Sequence, residues 1–233
     1  MKKLSALAFL AAALLAAQAA DNTPPEGFTA LFTGTDLTNW KGLVANPPKR
    51  AKLTPEQLAT EQKKADDNMR AHWRAEHGEL IFDGKGQNLC TAKDYGDFEF
   101  QVDWLIQTNG DSGIYLRGTP QVQIWDPNNP REVKNGADKG SGALWNNRKA
   151  GNRPLVRADQ PIGQWNSMSI RMVGENVTVK LNGQLVVDNV PLENYWERNQ
   201  PIYPTGAIEL QNHGSILRFK NIYMRELTAK PAP

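Results

Sequence analysis

The sequence predicts an all-β domain of the sandwich or barrel kind, and three observations lead there. Beyond residue 78 the chain breaks into short runs rich in Val, Ile, Phe, Tyr and Trp, separated by Gly, Asn and Pro. Within these runs apolar and polar side chains alternate, the period of a strand with one face in a core. Finally, Leu181-Asn182-Gly183-Gln184 sets Asn-Gly between two alternating runs, the pair that supplies the positive φ angles of a type I′ hairpin.

Taken in order, the chain opens with Met1, Lys2 and Lys3, an apolar run from Leu4 to Leu15, and the small-x-small site Ala17-Gln18-Ala19. That pattern reads as a secretory signal over residues 1–19, with the mature protein starting at Ala20 and exported to the periplasm or medium. No later apolar run approaches the roughly 20 residues of a membrane helix. Thr54-Pro55-Glu56-Gln57 carries an N-cap hydroxyl, Pro at the first helical position and Gln at the third. Helix formers follow, so one amphipathic helix is expected over about 54–72, with Leu58, Ala65, Met69 and Trp73 in phase. It either covers a sheet end or offers Arg70, His72 or Trp73 to a cleft. Strands are expected at 79–83, 89–91, 98–106, 113–117, 121–126, 142–145, 165–173, 177–181, 184–188, 207–211 and 217–225, with 165–188 a three-strand meander. Residues 230–233 read as a frayed tail.

Composition narrows the function. The formal charge of +2 is carried by Lys2 and Lys3 of the leader, which leaves the mature chain neutral and gives no basic surface for nucleic acid. Cys90 is the sole cysteine, which excludes an internal disulfide and a cysteine-based zinc site. It is expected in the core.

Reading the strands by twos brings out candidate chemistry. Ala207, Glu209, Gln211 and His213 share one face against Ile208, Leu210 and Asn212. Glu99, Gln101 and Asp103 oppose an apolar row, Tyr115 and Arg117 oppose Ile114 and Leu116, and Gln121, Gln123 and Trp125 oppose Val122 and Ile124. Were these strands neighbours in one curved sheet, they would form a concave floor of amides, carboxylates, Arg and aromatic rings. Amides and Arg bond ring hydroxyls, while Trp125 or Trp145 stacks on the apolar face of a sugar. The other reading for the Glu99, Gln101 and Asp103 row is the wet outer face of a sheet.

These segments also carry a resemblance. Gly27-Phe28-Thr29-Ala30-Leu31-Phe32-Thr33-Gly34, Tyr95-Gly96-Asp97-Phe98, Asp111-Ser112-Gly113-Ile114-Tyr115-Leu116-Arg117, Gln121-Val122-Gln123-Ile124, Gly163-Gln164-Trp165-Asn166 and Leu210-Gln211-Asn212-His213-Gly214 occur in this order. Together they resemble the 3-keto-disaccharide hydrolase domain family over about residues 27–227. Gln121 stands where the family often has Glu, and Asn212 where it often has Asp. The resemblance implies a concanavalin A-like lectin/glucanase fold, a jelly roll of two antiparallel sheets in a single domain. It also implies action on glycosides oxidised at carbon 3, with the bond at carbon 1 broken.

A ketone at carbon 3 acidifies the hydrogen on carbon 2, so one base and one donor for the enolate oxygen replace the paired carboxylates of ordinary glycosidases. His213 is the first candidate for base or acid, with Asp103 and Glu209 as competitors. Arg117 is the candidate donor. Gln121, Gln123, Asp126 and Gln211 are candidates to orient hydroxyls, and Trp125 and Trp145 to stack. No cofactor is called for, although a divalent metal on His213 with Glu209 or Asp126 would serve in place of Arg117. The rival reading is a non-catalytic carbohydrate-binding module. An ordinary retaining glucanase would lean on Glu99 and Asp103, about 13 Å apart along one strand face where roughly 5 Å is required.

Overall fold

A computed structural model describes residues 20–227. The leader and residues 230–233 lie outside that range, so the readings made for them have no structural counterpart here. The elements in chain order are β1 (Thr29–Ala30), β2 (Trp40–Gly42), α1 (Pro47–Arg50), α2 (Pro55–His72), β3 (Trp73–Glu76), β4 (Glu79–Phe82) and β5 (Leu89–Thr91). There follow β6 (Phe98–Ile106), β7 (Asp111–Leu116), β8 (Thr119–Trp125), β9 (Asn166–Val173), β10 (Asn176–Leu181), β11 (Gln184–Pro191), β12 (Glu209–Leu210) and β13 (Leu217–Glu226). Two short 3₁₀ turns lie between β8 and β9.

The strands form two antiparallel sheets, as a jelly-roll sandwich requires. One runs β11-β10-β9-β6-β13-β4-β3, with β1 added on β13, and the other runs β2-β5-β12-β7-β8. Alternation places Phe98, Phe100, Val102 and Trp104 of β6 inward against Ile114, Leu116, Val122 and Ile124 of β7 and β8, all essentially inaccessible to solvent. Trp73 stacks on Phe82 with ring centroids 4.4 Å apart, closing the β3 side of the core.

The expected hairpin is present. Asn182 and Gly183 both have positive φ, 50° and 79°, and Leu181 pairs with Gln184. Strands β9, β10 and β11 form the expected meander. Residues 142–145, expected as a strand, instead run beside edge strand β8 with one bridge, Val122 to Leu144, and two bonds shared with Gln123. Positive φ at Gly140 and Gly142, 97° and 96°, bends this segment out of strand geometry.

Helix α2 begins where the capping signal places it. Thr54 accepts from Gln57 N, and the Gln57 side chain accepts from Thr54 N. The helix covers a sheet edge. At edge strand β2, Gly42 N donates to Asp66 Oδ1 (3.0 Å) and Gly42 O accepts from Gln62 Nε2 (2.8 Å), so two α2 side chains satisfy backbone groups that an exposed edge would leave open. A Cβ at position 42 would fall 2.0 Å from Ala65 O, and only glycine allows that approach. None of Arg70, His72 and Trp73 reaches a cleft. Arg70 pairs with Asp67, His72 with Asp83, and Trp73 enters the core.

Candidate active site

The outward face of the five-stranded sheet carries the polar row that alternation predicts for β7, β8 and β12. Cα pairing aligns Lys41, Cys90, Glu209 and Tyr115 across β2, β5, β12 and β7. One step along, Gln211 N donates to Gly113 O and Gly113 pairs with Gln123, and beyond them Asp111 pairs with Trp125. Gly113 keeps this floor low. A Cβ there would meet the Gln121 side chain at 3.0 Å and Gln211 Oε1 at 3.1 Å. Loops from the β8–β9 connection, carrying Glu132, Asn135 and Trp145, and from the β11–β12 connection, carrying Tyr195 and Trp196, wall in a cleft of about 400 Å³.

A directed hydrogen-bond chain crosses the cleft. Gln121 Nε2 donates to Gln123 Oε1 (2.5 Å), and Gln123 Nε2 donates to Asp111 Oδ1 (2.8 Å) and approaches the carbonyls of Ser112 and Ile124 at 3.1 and 3.2 Å. Three acceptors around one nitrogen fix the amide orientation. The other Asp111 oxygen lies 3.1 Å from His213 Nδ1, which leaves Nε2 unengaged among the described residues, on a residue that lines the cleft. Asp111 raises the His213 pKa above its ordinary value by this hydrogen bond, burial opposes it, and the charges of Asp111 and Glu132 add to the rise. A carboxylate that orients an imidazole in this way is the recurrent arrangement of a positioned base.

Two buried acceptors in this region have no partner among the described residues, Gln211 Oε1 and Asn146 Oδ1, and both residues line the cleft. An unpaired buried acceptor costs about 1–3 kcal/mol, so a ligand bringing hydroxyl donors recovers that energy. The indole nitrogens are already used. Trp125 Nε1 donates to Gly140 O and Trp145 Nε1 to Asn135 O, and the two rings meet edge to face at 6.3 Å. Trp125 is buried, which leaves Trp145 as the more open ring.

The structure therefore brings together Gln121, Gln123, Trp125, Trp145, Gln211 and His213. Three other candidates lie elsewhere, and a fourth, Glu209, is in the floor but buried. Asp103 is on β6, in the opposite sheet, where its carboxylate accepts from Asn221 Nδ2 (2.7 Å), and Glu99 on the same face pairs with Arg225 and Arg171. That row is the wet outer face. Arg117 stands in the β7–β8 turn with φ 53°, where strand alternation has ended. Its guanidinium is buried on Gly96 O, Tyr203 O and Asp97. Asp126 caps a loop, accepting from Asn109 N and Asn128 N at 2.8 Å each. Glu209 does lie in the floor, paired with Tyr115 and Cys90, but it is only 1% exposed. Burial pushes its pKa up to about 7. The set of His213 with Glu209 or Asp126 thus does not assemble as metal ligands, and among the described residues no cluster of three or more His, Cys, Asp or Glu stands ready to hold an ion.

Asp111, Tyr115, Glu132, Tyr195 and Trp196 join the cleft without having been singled out for roles. Period two along β7 carries the signal for the first pair, since Asp111 shares a face with Tyr115. Cys90 is buried as expected, although on the outer face beside Glu209 rather than between the sheets.

Comparison with known proteins bears on the family and the fold. The family model described as a 3-keto-alpha-glucoside-1,2-lyase-like domain matches residues 27–225. The 3-keto-disaccharide hydrolase of Bacteroides thetaiotaomicron is 21% identical over 87% of this chain and 79% of that one. Two crystal structures of Parabacteroides distasonis proteins, classed by name with the glycosyl hydrolases, superpose with TM-scores of 0.64 and 0.62 at 24% identity. The first covers 90% of this chain and 100% of its own, the second 87% and 85%, and at this identity they speak for the fold. With the matching model spanning nearly the whole described structure, the chain belongs to the 3-keto-alpha-glucoside-1,2-lyase-like domain family.

Proposed function

We propose that this protein is an exported enzyme that cleaves 3-keto-glycosides at carbon 1, with His213 as the base. The His213–Asp111 pair, opening on a cleft of unpaired acceptors and aromatic rings, is the observation that carries this reading. His213 Nε2 takes the proton from carbon 2, and the electron pair of that C–H bond delocalises onto the ketone oxygen as an enolate. The enolate then reforms the ketone, a double bond closes between carbons 1 and 2, and the C1–O bond breaks. The departing oxygen takes a proton from the imidazolium, and addition of water across the new double bond completes hydrolysis. Asp111 holds Nδ1, keeps Nε2 free for this exchange and stabilises the charged imidazole. Gln211 Oε1 and Asn146 Oδ1 accept substrate hydroxyls, and Trp145 flanks the ring.

Incubation with a 3-keto-glucoside and with its unoxidised parent tests the assignment. Release of the aglycone from the keto sugar alone is the expected result. Equal rates on both would favour an ordinary glycosidase, and saturable binding without release would favour a carbohydrate-binding module.

A further inference from the structure

Removal of the carbon 2 proton places negative charge on the ketone oxygen, and the reaction needs a donor there. Arg117 is committed to the β7–β8 turn and cannot provide it. The donors lining the cleft are mostly spent within the protein. The N–H groups of Trp125, Trp145 and Trp196 each serve a backbone carbonyl, and the amides of Gln121, Gln123 and Asn135 serve neighbouring side chains. Tyr115 is different. Its hydroxyl oxygen accepts from Gln211 Nε2 at 3.2 Å, while no acceptor among the described residues takes its own O–H. Tyr195 and Asn146 stand on the wall loops, whereas Tyr115 rises from the floor strand that carries Asp111.

The placement suits one sugar ring. Gln211, which holds the Tyr115 hydroxyl, precedes His213 by two residues, and all three line the cleft. The phenol and the imidazole thus stand in one cleft, with a sugar ring bound there to contact both. We infer that Tyr115 donates the hydrogen bond that stabilises the enolate oxygen, an inference that rests on the elimination reading above. Burial, with the Glu209 carboxyl behind it, raises the Tyr115 pKa, so the phenol keeps its proton and acts as a neutral donor. A hydrogen bond to an enolate is charge-assisted and one to a ketone is not, so the contact strengthens as the proton leaves.

The test uses a 3-keto sugar without a leaving group, the 3-keto form of 1,5-anhydroglucitol. Exchange of its carbon 2 hydrogen with D₂O, read by NMR, reports enolate formation alone. Tyr115→Phe should slow exchange by about 10²- to 10³-fold, lower kcat on a cleavable 3-keto-glucoside by the same factor and leave KM within a few-fold. Thermal unfolding of the variant reads its folding separately, and Gln211→Leu, which frees the hydroxyl without removing it, should slow exchange by a smaller factor. Exchange by Tyr115→Phe at the wild-type rate, or a loss confined to KM, would overturn the inference. Exchange that persists undiminished in His213→Ala breaks the base assignment and leaves Tyr115 standing on its own result. A wild type that exchanges nothing removes both.

Discussion

Replacing Glu209 by Gln should stabilise the protein at neutral and alkaline pH and do nothing below about pH 4. The carboxyl is buried among Asn88, Cys90 and Tyr115. Its nearest partner, Asn88 Nδ2, donates from 3.4 Å, and the attraction of Arg50 only partly offsets desolvation. Burial thus moves the pKa from 4.5 to about 7. Below pH 4.5 folded and unfolded chains are both protonated and full stability is present. Between 4.5 and 7 the unfolded chain ionises while the folded one holds its proton, so stability falls by about 1.4 kcal/mol per pH unit. Above about pH 7 both are ionised and the loss is complete, about 3 kcal/mol in all. The amide of the Glu209→Gln variant cannot ionise, and its carbonyl oxygen accepts from Asn88 as the carboxyl did. At about 2–4 °C per kcal/mol for a domain of this size, the variant should unfold about 6–12 °C above the wild type at about pH 8 and coincide with it at about pH 4. Thermal unfolding followed by circular dichroism across that range gives both curves. Parallel curves at all pH values would refute the reasoning, for they would mean that Glu209 is solvated or paired in solution.

Asp111→Asn should move the acid limb of the kcat/KM profile downward, because Asp111 is the main cause of the raised His213 pKa, and should lower the plateau by about 10²- to 10⁴-fold. Arg117→Ala should cost about 3 kcal/mol of stability, read by urea unfolding, while kcat of the folded fraction is retained, since this cation fastens the turn to Asp97, Gly96 and Tyr203. Cys90, with its thiol pushed up to about 12 by burial, should resist thiol reagents in the native protein and label fully in denaturant. Gly42→Ala should prevent stable docking of α2, visible as a drop in Tm of more than about 10 °C, because its Cβ would overlap Ala65 O.

What the sequence discloses here divides along one physical line, the range over which a residue pattern acts. Asn182-Gly183 and the Thr54 to Gln57 capping box are complete within four residues, and both form as read. Alternation is also local, and it places Gln121, Gln123, Gln211 and His213 on outward faces. It does not say which sheet a strand joins. Asp103 and Glu209 are alike in pattern, each a carboxylate on the polar side of a strand, but β6 lies in one sheet and β12 in the other. Arg117 fails for a different reason, since alternation stops at a turn and Leu116 already pairs with Thr119. Glu209 shows the third limit: its face is the right one, but it is buried, with Asn88, about 120 residues earlier in the chain, beside it. The His213–Asp111 contact joins a loop to a strand across about 100 residues, so either residue alone looks like an ordinary strand-end polar group. Only when β12 settles beside β7 does a lone histidine acquire its carboxylate partner, and the make-up of the cleft is therefore a property of sheet order more than of any segment.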